Sequence, residues 1–549
     1  MRKLVALFLI TAAAIALAWW WLGRPLAAPA ADPGRIQCMS YAPVRAGQSP
    51  LVTTTHAEAA QIEEDLVKLA RLTGCVRTYA TDNGLDQVPA IAQRLGLKVL
   101  QGLWLDRDRQ KNRNQIDTAV ALAKRYPDTI TGIVVGNEVL LRGELAASDI
   151  AAVLREVKAA TGMPVTYADV WEFWLRNREV AGAVDFITIH ILPYWEDFPI
   201  AANIAAAHVD DIRSRVAAAF PGKEILIGEV GWPSAGRMRE GALPSPSNQA
   251  HVLEDVMAQA RTKNYRVNLI EAFDQPWKRH LEGTVGGYWG LFGSNVREPK
   301  FVWGEPVSDH PFWPWQLALG LTMAAVVFAA AVRAGDDWAI AKAPAYVRVG
   351  IAFIGLAAGI STPWGLENVT IESFGLGGWI RGAAFAAVGL TAPVAAAMAL
   401  AANVAIPTFA RVLGRPAERL IGATSSFDQA AYRQPPLSGI ARAAGFVFVA
   451  MTILAIQTAL GLVFDPRYRD FTDPQLSAAV VPFAIAMLLG AGRPGPRGRA
   501  ETIAAVTLAG SAVYIVLNEG FANWQALWLG AVLIVLAVTL DRLRDAQST

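Results

Sequence analysis

The sequence predicts two unlike parts joined in one chain of 549 residues. Residues 32–312 read as a (β/α)8 barrel, an α/β fold. Residues 313–549 read as an all-α membrane domain of about seven helices, and one further apolar helix lies within residues 1–31. Three observations carry this reading. Short β-rich runs alternate with helical stretches eight times in the first part, the pattern of a barrel of about 250 residues. Long uncharged apolar stretches crowd the second part, each long enough or nearly so to cross a bilayer. The whole chain is 53% hydrophobic and only 17% charged, with mean hydropathy +0.31. A soluble domain averages about 25% charged residues, so neither a wholly soluble nor a disordered chain fits.

The β-rich runs are 36–43, 75–81, 98–105, 130–139, 164–171, 184–194, 224–232 and 267–276. Between them, stretches such as 57–72 and 115–126 place apolar residues at helical spacing. A doubly wound open sheet is the competing fold, disfavoured because no glycine-rich nucleotide turn follows any run.

The apolar stretches are 4–22, 313–332, 349–366, 382–406, 443–463, 476–491, 502–517 and 523–540, with no Asp, Glu, Lys, Arg or His inside them. That lack argues against an ion-coupled transporter. The first, after Arg2-Lys3, is either a cleaved signal peptide, with a poor cleavage site at Ala28-Pro29-Ala30, or a membrane anchor; its length favours the anchor. With the N-terminus inside and sides alternating, fifteen basic residues fall on inner segments (Arg2, Lys3, Arg333, Lys342, Arg348, Arg411, Arg415, Arg419, Arg433, Arg442, Arg493, Arg497, Arg499, Arg542, Arg544). Only Arg381, Arg467 and Arg469 fall on short outer loops. This bias puts the barrel outside the cytoplasm. Tryptophans 19–21, 313, 315, 379, 524 and 528 sit near stretch ends, as an interfacial belt or as lipid-facing bulk. The inner loop 407–442 is a candidate for the anionic leaflet, or its arginines are purely topogenic.

Forty-nine basic against 47 acidic residues leave no field that would draw nucleic acid. Two cysteines give no disulfide framework and no metal-ligand spacing, so neither metal nor cofactor is expected. If Tyr41 faces the cleft, Cys38 faces the helices, while Cys75 shares inward parity with Arg77; a disulfide is then disfavoured.

In a barrel of this kind chemistry belongs at the C-terminal ends of the strands. Those ends carry Tyr41, Arg77, Tyr79, Asp82, Trp104, Asn137, Glu138, Asp169, Trp171, His190, Tyr194, Glu229, Trp232, Glu271, Asp274 and Trp277. Carboxylates and aromatic rings suit a neutral, hydroxyl-rich ring such as a sugar. Glu138 in VVGNEV and Glu229 in LIGEVGWPS end the fourth and seventh runs and face each other across the mouth. Such a pair can serve as acid and nucleophile at a glycosidic bond. Trp195, Trp232, Trp277, Tyr288 and Trp289 are either sugar platforms or rim packing. Arg77 either supports the cleft or pairs with Asp82, and His190 reads best as a satisfied core histidine.

Through VRTYATD, VVGNEV, ILPYW, GEVGWPS and EAFDQPWK, residues 36 to about 303 resemble glycoside hydrolase family 17, the β-1,3-glucanases and glucanosyltransferases. The resemblance implies Glu138 as acid/base, protonated in the free enzyme, and Glu229 as nucleophile. It further implies Asn137 as donor to the sugar 2-hydroxyl, Tyr194 as the residue orienting Glu229, and Lys278 and Glu282 as late cleft residues. EAFDQPWK is nearer the fungal transferase branch than the plant hydrolases. The whole chain resembles membrane-bound bacterial proteins that modify β-glucan. The expected function is a retaining β-glucan transglycosylase; an endo-β-1,3-glucanase and a non-catalytic glucan-binding subunit are the rivals. Expected partners are a glucan donor and acceptor and the lipid bilayer, with a glucan synthase as a further candidate.

Overall fold

The computed structural model describes residues 2–26, 33–52, 54–335, 343–414, 436–490 and 498–543. Lys342, Arg415, Arg419, Arg433, Arg493, Arg497, Arg544 and the segment 28–30 lie outside them. Two compact units emerge, Pro25–Ser308 and a second made of Met1–Arg24 with Asp309–Thr549.

In the first unit, eight parallel strands close on themselves in sequence order. They are β1 (Cys38–Ser40), β2 (Cys75–Arg77), β3 (Lys98–Leu103), β4 (Ile130–Asn137), β5 (Val165–Val170), β6 (Ile187–His190), β7 (Ile225–Val230) and β8 (Arg266–Leu269). Closure comes from Cys38 and Met39 pairing with Asn268 and Leu269 of β8. Helices cover the outside of the strands, and inside the barrel apolar side chains mix with buried Ser40, Arg77, Thr166, Thr188 and Asn268. Outward Met39, Val76, Val99, Ile133, Val165, Ile187, Ile227 and Val267 join the helices in one large core. Inside lies a small plug of Leu100, Val134, Ala168, Phe186 and Leu226, with Cys75 against it.

The covering helices start and stop where local chemistry says they should. Asp108 accepts from the N–H groups of Gln110 and Lys111 to cap Arg109–Arg125, and Ser245 caps Pro246–Lys263, which carries proline in its first turn. Ala147–Thr161 ends on Gly162 in the left-handed region.

The structure corrects the expectation for β1. Met39 pairs with Val76 and Ser40 with Arg77, so Cys38 lies level with Cys75, and the two form a disulfide. Residues level in a parallel pair share a face. The parity argument failed at its anchor: Tyr41 lies beyond the strand and points outward, not into the cleft. Its buried hydroxyl donates to Asp65 of the helix Ala59–Leu69 at 3.0 Å, and Arg297 clamps the same carboxylate at 2.8 Å. Tyr41 is therefore a packing residue and not a substrate contact.

Among the described residues of the second unit, seven helices are long and apolar enough to cross a membrane: Arg2–Leu22, Trp313–Gly335, Ala345–Glu372, Gly375–Ala401, Gly439–Phe464, Arg499–Glu519 and Trp524–Asp541. An eighth, Asp473–Leu489, is apolar but only 17 residues long. Every uncharged stretch of the sequence thus falls on a helix, and charges such as Arg348, Glu372, Arg381 and Asp473 sit near the helix ends. Close packing uses small residues. A side chain on Gly320 would meet the carbonyl of Gly359, and one on Gly359 would meet Ile15. Trp19, expected at an interface, is instead fully buried and donates to the Gly359 carbonyl at 3.0 Å, while Trp20 and Trp21 are exposed.

Candidate active site

Both glutamates reach the barrel mouth through glycine. Gly136 has φ +83°, and a side chain there would press on Val139. After it, Glu138 takes the left-handed φ of 54°, which costs a non-glycine residue about 1 kcal/mol. Two backbone bonds hold that turn, Glu138 N–H to Ala168 O at 2.8 Å and Arg142 N–H to Glu138 O at 2.9 Å. On β7 the register shifts between Ile227 and Val230, which re-aims Glu229. A Cβ on the preceding Gly228 would stand 2.2 Å from a Thr188 methyl.

The carboxylates converge. One oxygen of Glu138, one of Glu229 and a ring nitrogen of His190 all lie within 4.8 Å of one another. Retaining glycosidases hold their pair about 5–5.5 Å apart and inverting ones about 6.5–9.5 Å, so the spacing is of the retaining kind.

Glu229 is buried and held by two donors, one each from Arg77 and Tyr79. Arg77 donates to Glu229 Oε1 at 3.0 Å and to the Gly228 carbonyl at 3.1 Å, and Tyr79 donates to the same Oε1 at 2.9 Å. The other arm of Arg77 donates to Asn137 Oδ1 at 2.5 Å, fixing the Asn137 amide with its NH2 turned elsewhere. Arg77 is fully buried and has Glu229, not Asp82, as its ion-pair partner. Burial, followed by the negative charge of Glu229, holds the Tyr79 hydroxyl well above its ordinary range, so it remains a donor.

Glu138 has a different neighbour. His190 Nδ1 lies 2.7 Å from Glu138 Oε1, and its Nε2 lies 3.7 Å from Glu229 Oε1. Burial pushes the Glu138 carboxyl up, but the hydrogen bond and charge of His190 outweigh it, with Arg77 and Arg142 adding to them. The carboxyl is thereby held below its ordinary range.

The remaining expected residues divide. Lys278 faces the site and grips buried Glu271 through both carboxylate oxygens at 3.1 Å; burial still pushes Glu271 up to about 7. Glu282 is raised by burial, and the charges of Glu138 and Glu229 add to this against Lys278, so it shares their field. Trp195 and Trp277 are half-buried with ring surface open, and Trp277 donates to Gln275 Oε1 at 3.0 Å.

Four others go elsewhere. Tyr194 is fully buried and donates to the Arg237 carbonyl at 2.9 Å, so Tyr79 takes the place beside Glu229 that was expected for it. Trp232 is fully buried, its N–H on the Leu243 carbonyl, with no ring face open to a sugar. Asp274 is buried against Lys300 at 2.7 Å and the Gly290 N–H at 2.9 Å. Asp82 is exposed in a turn where its carbonyl accepts from Leu85 N–H. His190, read from sequence as core, is the functional residue that reading missed. Its one signal was its place at the very end of a strand, level with a carboxylate.

Residues 38–290 match the family model of the BtgE/BtgC glycoside hydrolase domain. The chain is 28% identical over 256 residues to a glucan 1,3-beta-glucosidase of Saccharomyces cerevisiae, spanning 42% of this chain and 82% of that protein. It is 27% identical over 224 residues to the probable beta-glucosidase btgE of Aspergillus fumigatus, spanning 40% of this chain and 39% of the relative. Among solved structures, the family 17 beta-1,3-glucanosyltransferase of Rhizomucor miehei is similar at 27% identity, over 48% of this chain and 95% of that one, with a TM-score of 0.43. The barrel of this chain matches the BtgE/BtgC glycoside hydrolase domain over residues 38–290, and the protein is a glycoside hydrolase-type enzyme.

Proposed function

We propose that the protein is a retaining β-1,3-glucan transglycosylase, with Glu229 as nucleophile and Glu138 as acid/base. The observation that carries this is the carboxylate pair itself, one oxygen of each within 4.8 Å, with Arg77 and Tyr79 both on Glu229. Those two donors hold the Glu229 carboxylate in place, as attack on an anomeric carbon requires. In the first half-reaction the Glu229 carboxylate bonds C1, the C1–O bond breaks, and the leaving oxygen takes the acid/base proton. In the second, an acceptor hydroxyl gives its proton to Glu138 and bonds C1, and Glu229 is released. Asn137, fixed through its oxygen by Arg77, offers its NH2 to the sugar 2-hydroxyl, and Lys278 and Glu282 line the cleft. Half-buried Trp195 and Trp277 suit the faces of donor and acceptor rings.

β-1,3-Glucan as substrate is supported by the names of the relatives in yeast and Rhizomucor. Transfer is favoured by the fungal-type EAFDQPWK run. The relatives named as glucosidases favour the second reading, hydrolysis.

The domain scheme follows: a membrane anchor within 1–31, a catalytic domain over 32–312 and a membrane domain over 313–549, with the barrel on the periplasmic side of the inner membrane. Seven apolar helices support the membrane, the inner basic bias supports the side, and the Cys38–Cys75 disulfide suits an oxidising compartment. Incubating the purified protein with laminari-oligosaccharides tests the reaction. Products longer than the substrate are expected; shorter products alone would leave hydrolysis.

A further inference from the structure

The position of His190 goes beyond what the carboxylate pair needs. Its ring is 1% exposed and stands between the two glutamates. Nδ1 is in hydrogen-bond contact with Glu138 Oε1 at 2.7 Å. Nε2 is buried without a hydrogen-bond partner and faces Glu229 Oε1 at 3.7 Å. A bare lone pair at Nε2 would face the Glu229 carboxylate, whereas an N–H there is attracted to it. With Nε2 protonated, two states remain: neutral imidazole beside protonated Glu138, or imidazolium beside its carboxylate. They differ only in where one proton sits between Oε1 and Nδ1.

We propose that His190 is the positioning residue that holds the acid/base proton, so that this function belongs to the Glu138–His190 pair and not to Glu138 alone. The proposal rests on the acid/base assignment of Glu138 given above. With the cleft empty, the proton rests on Nδ1. In the first half-reaction it passes to Glu138, and Glu138 gives it to the leaving oxygen as the C1–O electron pair moves onto that oxygen. In the second, the acceptor O–H proton goes to Glu138 and returns to Nδ1 as the acceptor oxygen bonds C1. The pair ends each turnover with the proton it began with.

The charged groups that face the imidazole are mostly acidic. Glu138 of β4, Asp169 of β5 and Glu229 of β7 all act on it with negative charge, and Glu282 adds to the field of the two glutamates from the helix Arg279–Gly286. Against them stand Arg77 of β2, already neutralised by Glu229, and Arg142, paired with Glu144 at 2.7 Å. Tyr79, a neutral donor, faces Glu229 from the β2 side.

The test uses full-length protein and the variants His190→Asn and Glu138→Gln. For His190→Asn, the alkaline limb of kcat/KM on laminari-oligosaccharides should shift by about one pH unit or more. Activity on the oligosaccharide at neutral pH should fall by about tenfold or more, while a 2,4-dinitrophenyl donor, which needs no acid, should keep its first-half rate within about threefold. An unmoved limb with equal losses on both donors would make His190 merely structural and overturn the proposal. Full oligosaccharide activity in Glu138→Gln would instead overturn the acid/base assignment, and the proposal with it. A measurement without variants stands beside these: 15N NMR of the six histidines of the native chain. Nε2 of His190 should stay protonated while Nδ1 titrates; titration at Nε2 contradicts the proposal.

Discussion

Replacing Tyr79 with phenylalanine removes one hydroxyl and leaves the ring that Arg77 covers at 4.4 Å. The lost group is the 2.9 Å donor to Glu229 Oε1, so that oxygen keeps only the 3.0 Å bond from Arg77. Hydrogen bonds to charged groups contribute about 1.5–3 kcal/mol. Glu229 is buried, and no solvent can replace the donor without a cavity forming at the missing oxygen. The bond orients the carboxylate for attack and stabilises it again as the leaving group of the second half-reaction. At about 1.4 kcal/mol per tenfold, kcat/KM on laminari-oligosaccharides should fall by about 10–100-fold. KM should change little, because the hydroxyl is spent on Glu229 and not on the sugar. The assay is initial-rate kinetics of Tyr79→Phe beside Tyr194→Phe, with thermal unfolding as a fold control. Tyr194 donates to a backbone carbonyl, so its variant should lose stability more than rate. A Tyr79→Phe enzyme within about twofold of the native rate would refute the assignment of Tyr79 as the orienting residue.

Two further predictions concern the frame that holds the site. Gly228→Ala puts a methyl 2.2 Å from Thr188 Cγ2, next to the nucleophile; overpacking costs about 1–3 kcal/mol, so the melting temperature and activity should fall together. Reducing the Cys38–Cys75 disulfide opens a link across a sequence separation of 37, and loop-closure entropy gives a loss of about 4 kcal/mol. Denaturant unfolding with and without dithiothreitol checks this, and an unchanged midpoint would contradict it.

The parts of the molecule legible in the sequence are those where chain geometry leaves a residue no choice. VVGNEV and LIGEV announced the catalytic strands because a side chain cannot stand at Gly136 or Gly228 while the next residues turn into the cleft. The apolar helices were legible because their uncharged length is itself the physical signal. What failed depended on register between strands, which spacing along one strand does not contain. Tyr41 taken as inward reversed the face of Cys38, and the pairing of Met39 with Val76 restores it. His190 was expected in the core and Tyr194 beside Glu229, yet the strand ends at His190 and Tyr194 lies in the following loop. The histidine consequently entered the cleft and the tyrosine the packing behind it. Trp232 misled for another reason: a tryptophan two residues from a strand end fills the rim as readily as it lines the mouth, and burial decides which.

The central claim is a double displacement through Glu229 with Glu138 as its acid/base. It is tested most directly by incubating the full-length protein with a 2-deoxy-2-fluoro laminaribiosyl fluoride donor and mapping the modified peptide by mass spectrometry. The account predicts one glycosyl adduct on the peptide carrying Glu229, slow to turn over with water and released faster by added laminari-oligosaccharide. An adduct on another carboxylate, or inactivation of the Glu229→Ala variant at the native rate, would contradict it.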